Sequence, residues 1–472
     1  MNLKVNFSLS SFSTYRLIVI ILFTVGTALR LLLWWVNPPE NAFDDHFTPI
    51  VMIMDSGHIP AKDACFECYH PPVFYWTSAV IGKAAFGWGL AFPSVIKLLQ
   101  FLCCLYGILT VVVCYLILKK FPLSEFARLV AFGTVCFLPR HIYMCAMHSN
   151  DTITYLMATV SIYLAIVAFE RRLAPKNLAA LSIALTVTLF TKYTAFAIIP
   201  AVFAGFVFAY RWLGVSRKAI LISTVATFVF PLCGLGVYMG NNVRHYHSPL
   251  PWNVTSYDPR VDRPRDKEAI SFTSFKPWEE VDTLMLAPGH LHSFWSLIYS
   301  GMWFDTDPRF LDYLDASHTW WIRYYSWYKG SGPFPGKNPS LSPLTVLTGR
   351  GLLVLGLFPL ALALAGFGLC VTGKWDMLFK ATPAQSVSLM MFPVLLVFNA
   401  AGIIALTLRL PVYNSMKPSY LLNSTVSFML FLALGILLCE KSKILKRTIY
   451  MTSGTLFTLA VAHILHIVAA RF

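Results

Sequence analysis

The sequence predicts an all-α polytopic membrane protein with about eleven transmembrane helices. Of the 472 residues, 57% are hydrophobic and 12% are charged, and the mean hydropathy is +0.63. Soluble domains carry roughly 25% charged residues. Apolar runs long enough to cross a bilayer also recur throughout the chain. They lie near residues 16–36, 94–118, 126–147, 151–169, 177–191, 194–211, 219–240, 345–372, 385–408, 419–439 and 447–470.

The basic residues predict the orientation of these spans. The net charge of +15 does not indicate a nucleic-acid partner, because the basic residues lie mostly in short loops between apolar runs. The basic clusters fall on alternate connections, which the positive-inside rule places in the cytoplasm. We therefore expect a cytoplasmic N-terminus and, with an odd number of spans, Phe472 outside. The first apolar run is long enough to span and lacks a small-residue cleavage site, so we expect it to cross the membrane uncleaved. The clusters are Lys119-Lys120, Arg171-Arg172-Lys176, Arg211-Arg217-Lys218 and Lys441-Lys443-Lys446-Arg447.

Two long outward loops divide the chain into three parts. Residues 1–240 form an N-terminal transmembrane catalytic module that includes the first outer loop, 37–93. Residues 241–344 form a second outer loop that we expect to fold as a lid, and residues 345–472 form the C-terminal transmembrane helices. Within the first loop, residues 72–86 begin with proline and are rich in aromatic residues, which predicts an interfacial helix. Tyr75, Trp76 and Trp88 are its expected membrane-belt residues.

The first outer loop opens with two adjacent acids, Asp44 and Asp45. Acids at the end of a span are costly unless they are used. Adjacent side chains point in different directions, so one carboxylate can serve as a general base while the other anchors a basic group. The alternative is a solvated loop start in which these acids pair with Lys62 or Arg30.

Further along the same loop, His70 precedes two prolines, which restrict it to an extended conformation and leave its ring free to bond. It is either a surface histidine or a contact for a phosphate or leaving group. Cys65 and Cys68 lie just before it, in a polar segment. A lone CxxC does not support a zinc site, so these cysteines form a local disulfide or remain two free thiols.

Three more charged residues fall at the same membrane level. Asp151 opens the fourth predicted span, where it either caps a helix or positions a substrate. Lys192 lies between apolar runs and must snorkel, pair or bind a phosphate. Arg244 follows a span, where it is either a plain interfacial arginine or a contact for a lipid phosphate. A divalent metal is also compatible with Asp44, Asp45, His46 and Asp151 as ligands.

Taken in order, these landmarks resemble the C-type membrane glycosyltransferases, in particular the dolichyl-phosphate-mannose protein mannosyltransferases and the bacterial lipid A aminoarabinose transferase. They cover roughly residues 30–250, and Asp45 and His245 depart from the usual Glu and Asn of these families. The segments that carry the resemblance are Asp44-Asp45, His70-Pro71-Pro72-Val73, Asn150-Asp151, Thr191-Lys192-Tyr193 and Val243-Arg244-His245 with Ser248-Pro249.

The resemblance implies a sugar donor linked to a polyprenyl phosphate, an inverting transfer at the outer (periplasmic or lumenal) face, and Asp44 as general base. It implies that Arg244, Lys192 and His70 stabilise the phosphate that leaves. The acceptor is a glycan, a lipid or a protein, and the compact length favours a bacterial inner membrane over an endoplasmic reticulum membrane. The competing interpretations are a transporter or flippase of lipid-linked glycans, which predicts charges buried at mid-span, and a non-catalytic scaffold.

Overall fold

The computed structural model describes residues 14–37, 39, 45–251, 270–278, 292–304, 343–409 and 416–469. Asp44 and most of the second outer loop lie outside these residues. The described chain is almost entirely helical. The helices are α1 (Thr14–Val36), α2 (Phe47–Ser56), α3 (Val73–Gly87), α4 (Phe92–Leu118), α5 (Glu125–Cys136), α6 (Pro139–Cys145), α7 (Asp151–Glu170), α8 (Pro175–Leu189), α9 (Ile198–Trp212), α10 (Arg217–Tyr246), α11 (Phe294–Trp303), α12 (Pro343–Thr372), α13 (Pro383–Leu389), α14 (Met391–Arg409), α15 (Thr425–Cys439) and α16 (Lys443–Ala469).

Short elements join some of these helices. Short 3-10 helices precede α9 and α15, over Tyr193–Ala197 and Pro418–Ser424, and another follows α12 at Lys374–Met377. Two-residue strands, Ile270–Ser271 and His292–Ser293, pair in parallel before α11.

The predicted class of an α-helical polytopic membrane protein is confirmed, but the count of eleven spans is not. Nine helices or helix pairs among the described residues are long and apolar enough to cross a membrane. The predicted span 126–147 is divided into α5 and α6, because Leu138 is extended and Pro139 cannot donate a helical hydrogen bond. The predicted span 177–191 corresponds to α8, which has only 15 residues.

Arg30 of α1 stabilises the break between α5 and α6. Its guanidinium donates to the carbonyl oxygens of Val135 and Cys136, at 3.2 and 2.8 Å, and lies 2.9 Å from Nδ1 of His141. These carbonyls belong to the end of a helix and need donors. The buried Arg30 therefore interacts with this helix end rather than with an acid of the first loop.

The connections meet at two opposite ends of the bundle. At one end, the backbone N–H of Val73 donates to the carbonyl oxygen of Phe190 at 3.0 Å. At the other end, Lys120 forms an ion pair with Glu170 at 2.7 Å. Asp45, Asp151 and Lys192 all lie at the first end, as the alternation of the spans predicted.

The first outer loop contains the predicted interfacial helix, α3, and a second helix, α2, that the sequence pattern did not predict. Trp76 and Trp88 are 51% and 81% exposed, as expected for belt residues. Tyr75 is different, because it is buried and its hydroxyl lies 2.8 Å from Nδ1 of His46. The prediction that Tyr75 lies in the membrane belt was wrong, since this side chain joins α3 to the start of α2.

Candidate functional site

Only one of the two acids of the first loop lies within the described residues. Asp44, the predicted general base, lies outside the described residues. Asp45 is described, and its Oδ1 accepts hydrogen bonds from the backbone N–H groups of Phe47 and Thr48, both at 3.1 Å. Its Oδ2 accepts from the Thr48 hydroxyl at 2.5 Å. Asp45 thus holds the first turn of α2.

Asp151 and Lys192 form a buried ion pair. Lys192 Nζ donates to Asp151 Oδ1 at 2.8 Å, and the two side chains are 6% and 4% exposed. The hydroxyl of Ser149 donates to the second oxygen, Oδ2, at 3.0 Å. Asp151 is the first residue of α7, where the helix dipole favours a negative charge. The Lys192 ammonium also lies over the ring of Tyr420, 5.5 Å from its centroid. The structure therefore holds this ammonium in one position.

His70 is buried rather than exposed at the surface. Its Nε2 lies 3.0 Å from Oε2 of Glu67. Glu67 lies in the short loop that the Cys65–Cys68 disulfide bond closes, and both cysteine side chains are also buried. Of the two alternatives for these cysteines, the structure has the disulfide. The closed turn carries Glu67 to the imidazole that the sequence singled out.

A cavity of about 840 Å³ lies beside the ion pair. At one end it has polar groups, including Lys192 and His70. Its walls are apolar and come mainly from the first turns of α9 and the C-terminal half of α14, which ends with Arg409. The lining residues are Tyr69, His70, Lys192, Tyr193, Thr194, Phe196, Ala197, Ile199, Pro200, Phe203, Leu250, Pro251, Phe398, Asn399, Gly402, Ile403, Ala405, Leu406, Arg409 and Tyr420.

The cavity includes some predicted residues and omits others. His70 and Lys192 line it, and Asp151 reaches it through Lys192. Arg244 is exposed on the last turn of α10 and is not a lining residue. Arg409, Tyr69 and Tyr420 also line it, and nothing in the sequence predicted that they would. Arg409 had one signal, a cation at the end of an apolar run.

Two further polar residues lie in the segment that leads to Asp151, and the sequence predicted no role in the site for either of them. His148 and Asn150 are fully buried, and neither side chain has a hydrogen-bond partner within the described part of the chain. The His148 ring stacks on Phe47 of α2 with 3.9 Å between centroids. Burial lowers the pKa of His148 well below its ordinary value, with a further contribution from His46, so the imidazole is neutral. This stack connects the start of α7 to the helix that follows the two acids.

The described residues do not fit the metal site that the sequence left open. No group of three or more His, Cys, Asp or Glu side chains within the described ranges could hold an ion. Asp45 bonds to the first turn of α2, and Asp151 is paired with an ammonium. We therefore derive no step through a metal.

A family model and several solved structures match this chain. Residues 90–245, about a third of the chain, match the family model of dolichyl-phosphate-mannose-protein mannosyltransferase. No curated protein sequence matches significantly. The apo oligosaccharyltransferase of Archaeoglobus fulgidus superposes with a TM-score of 0.54 at 12% identity, over 97% of this chain and 56% of that one. The chain has the C-type glycosyltransferase fold. It spans about half the length of the archaeal enzyme.

Two other structures with the C-type glycosyltransferase fold are similar at lower scores. ArnT from Cupriavidus metallidurans matches at 14% identity over 89% of this chain and 76% of its own, with a TM-score of 0.34. The Pmt1-Pmt2 complex of S. cerevisiae bound to the sugar donor matches at 16% identity over 54% and 38%, also with a TM-score of 0.34. The resemblance inferred from the sequence is confirmed at the level of the fold by the superposition on the archaeal enzyme.

Proposed function

We propose that the protein is an integral-membrane glycosyltransferase that moves a sugar from a polyprenyl-phosphate donor to an acceptor at the non-cytoplasmic face. The observation that carries this proposal is the cavity, which combines a buried ammonium at a polar end with long apolar walls. A lipid-linked phosphate has the same division into an anionic head and an apolar chain. The description of the matching family also names a dolichyl-phosphate sugar as the donor.

The phosphate would bind at the polar end of the cavity. The Lys192 ammonium has three N–H donors, and one donates to Asp151. Asp151 thus orients the ammonium while leaving it able to bind a phosphate oxygen. Arg409 supplies a second cation with a geometry suited to phosphate. His70 adds a further polar group to the lining.

The polyprenyl chain would extend along the apolar walls. Phe196 and Phe203 come from the α9 side, and Ile403 and Leu406 come from α14. Gly402 and Ala405 keep the α14 wall shallow, because they carry little or no side chain. The cavity volume of about 840 Å³ accommodates a head group and the first isoprene units, so the remaining chain would extend into the bilayer.

The transfer is a single displacement. An acceptor oxygen or nitrogen attacks the anomeric carbon while the bond from that carbon to the phosphate oxygen breaks, and the configuration inverts. Asp44 takes the acceptor proton as general base. The electron pair leaves with the polyprenyl phosphate, whose developing charge Lys192 and Arg409 stabilise in a site of low dielectric constant. Arg244, on the same end of the bundle, would attract the anionic donor rather than contact it in the cavity.

A flippase of lipid-linked glycans is the second candidate, and it predicts charges buried within spans along a pathway. Arg30 is such a charge, but its hydrogen bonds go to the break between α5 and α6 and to His141. That arrangement supports a structural role.

Mass spectrometry of lipid-linked sugars in a deletion strain tests the proposal. We expect one donor to accumulate and one surface acceptor to lose a sugar. The purified protein, given that donor in nanodiscs, should release free polyprenyl phosphate. A flippase would move the lipid across a vesicle membrane without cleaving the bond between sugar and phosphate. That result would overturn the enzyme proposal. Fractionation of the cells would distinguish the favoured bacterial inner membrane from an endoplasmic reticulum location.

A further inference from the structure

Lys62, in the turn between α2 and α3, is a buried cation with no role in the function proposed above. The residue is 7% exposed, and its Nζ donates to the carbonyl oxygens of Tyr69 and His70 at 3.2 and 3.0 Å. It also donates to the hydroxyl of Tyr238 on α10. Lysine is almost never buried unless it is paired, and here every acceptor is neutral. The position of this charge therefore requires an explanation.

The acceptors of Lys62 belong to the wall of the cavity. Tyr69 and His70 line its polar end, and Lys62 bonds to the backbone of both. Tyr193 lines the same end, and its hydroxyl donates to the Tyr69 carbonyl at 2.9 Å. Tyr238 lies 3.4 Å from the Tyr193 hydroxyl. The Lys62 ammonium thus holds Tyr69 and His70 directly, and it holds Tyr193 through the Tyr238 hydroxyl.

The turn is closed on itself by the same contacts. The Lys62 side chain reaches seven and eight residues ahead, and the Cys65–Cys68 disulfide closes the segment between them. The backbone N–H of Lys62 donates to the hydroxyl of Tyr246, which ties the start of the turn to α10. Removal of the ammonium would leave two buried carbonyls of the cavity wall without this donor.

We propose that Lys62 is a positioning residue that holds Tyr69 and His70 at the polar end of the cavity, and that its charge strengthens the binding of an anionic lipid phosphate there. This inference rests on the proposed function for the identity of the ligand. Its structural part, the fastening of the turn, does not depend on any ligand.

The charge would respond to pH near neutrality. Burial lowers the pKa of Lys62 to about 7, from an ordinary value of 10.5. Below that pH the ammonium attracts a phosphate, and above it the neutral amine does not. The other titratable groups facing Lys62 are Glu67 and His70 of its own turn, Tyr193, and Tyr238 and Tyr246 of α10. His70 is an ionisable group of the same turn, so the test must separate its effect from that of Lys62.

Two substitutions separate these effects in the full-length protein in nanodiscs. Lys62→Arg keeps the charge at every pH, and Lys62→Met removes it while keeping the length of the side chain. Lys83→Met, in the exposed surface of α3, is the matched control. The probe is the methyl ester of a polyprenyl phosphate, a phosphodiester that does not itself titrate near neutrality. Affinity is measured from about pH 5.5 to about pH 8.5, and hydrogen exchange of segment 62–72 is measured without the probe.

We expect the wild-type protein and Lys83→Met to bind the probe about tenfold more tightly at the acidic end. Lys62→Arg should lose most of that difference, although it retains His70, and Lys62→Met should bind weakly throughout. Hydrogen exchange of the segment should be faster in Lys62→Met and near wild type in Lys62→Arg. Equal pH profiles in wild type and Lys62→Arg would overturn the charge effect, and unchanged exchange in Lys62→Met would overturn the fastening. Faster exchange in a protein that binds no probe at any pH would retain the fastening and reject the lipid-phosphate function.

Discussion

The Lys192 ammonium lies 2.8 Å from Oδ1 of Asp151, and 41 positions of sequence separate the two residues. Both side chains are buried, and Lys192 lines the cavity. A buried ion pair is weak evidence of stability, because taking two charges out of water offsets their attraction. It is better understood as a device that fixes an ammonium next to a cavity. The pair is neutral overall, so removal of either member leaves the buried charge of the other uncompensated.

Double-mutant analysis of this pair separates folding from binding. Asp151→Asn or Lys192→Met alone should destabilise the protein by roughly 3–5 kcal/mol, because one buried charge is left uncompensated. The double variant should recover most of that stability but should not bind a polyprenyl phosphate. Thermal unfolding in detergent measures the first effect, and binding in nanodiscs measures the second.

The Lys120–Glu170 pair at the opposite end of the bundle is the control. Its side chains are 25% and 31% exposed, so Glu170→Gln should change stability by about 1 kcal/mol or less. A double variant of the buried pair that binds the lipid normally would remove Lys192 from the phosphate site.

Arg409 and Arg244 give opposite expectations at the same end of the bundle. Both arginines are exposed, but Arg409 lines the cavity and Arg244 does not. We expect Arg409→Gln to weaken equilibrium binding of a polyprenyl phosphate about tenfold, because it would remove a charge-assisted contact. Arg244→Gln should slow association modestly, and added salt should abolish its effect. Surface plasmon resonance at low and high salt measures the affinity and the association rate of both variants. Equal losses of equilibrium affinity would contradict the assignment of Arg409.

The residues of the site were easier to predict than their partners. A charge in an apolar sequence is conspicuous, so Asp151, Lys192 and His70 were selected from the sequence alone. Their contacts were not, because Lys192 and Glu67 find their partners through the packing of α7, α9 and the disulfide-closed turn. Arg409 was passed over because a cation at the end of a span has an ordinary membrane explanation.

The helix boundaries show a similar division. Most long apolar runs became helices close to their predicted bounds, because length and composition determine membrane spans. The run 126–147 did not, and the reason is present in the sequence, since Pro139 interrupts it. The stabilising contact was not predictable, because Arg30 reaches the break from another helix.

The cysteines allow a count that needs no activity assay. The chain has ten cysteines, and eight of them are free in the structure. Alkylation in denaturant should modify eight without reductant and ten with it, and mass mapping should place the protected pair at Cys65 and Cys68. The double serine variant should lose roughly 2 kcal/mol of stability, since the bond closes a short loop. Cys233→Ser, at an exposed position, should change nothing. Ten modified cysteines without reductant would contradict the disulfide.

The two acids of the first loop should differ sharply when they are replaced. Asp45 accepts three hydrogen bonds at the start of α2. Asparagine is nearly as good a cap as aspartate, so Asp45→Asn should retain the fold and much of the activity, whereas Asp45→Ala should lose about 1 kcal/mol. Asp44→Asn should abolish transfer without unfolding the protein, because an amide cannot take the acceptor proton.

The comparison depends on measuring turnover and donor binding in the same preparations. Asp44→Asn should bind the donor normally while its turnover falls below detection, since the base acts on the acceptor and not on the phosphate. Retained turnover in this variant would reject Asp44 as the base. If Asp45→Asn were then the inactive variant, with its melting temperature unchanged, Asp45 would be the base despite its hydrogen bonds to α2. Asp44 and Asp45 are adjacent, so a displacement of α2 would affect both positions. Turnover, donor binding and melting temperature must therefore be measured together for each variant.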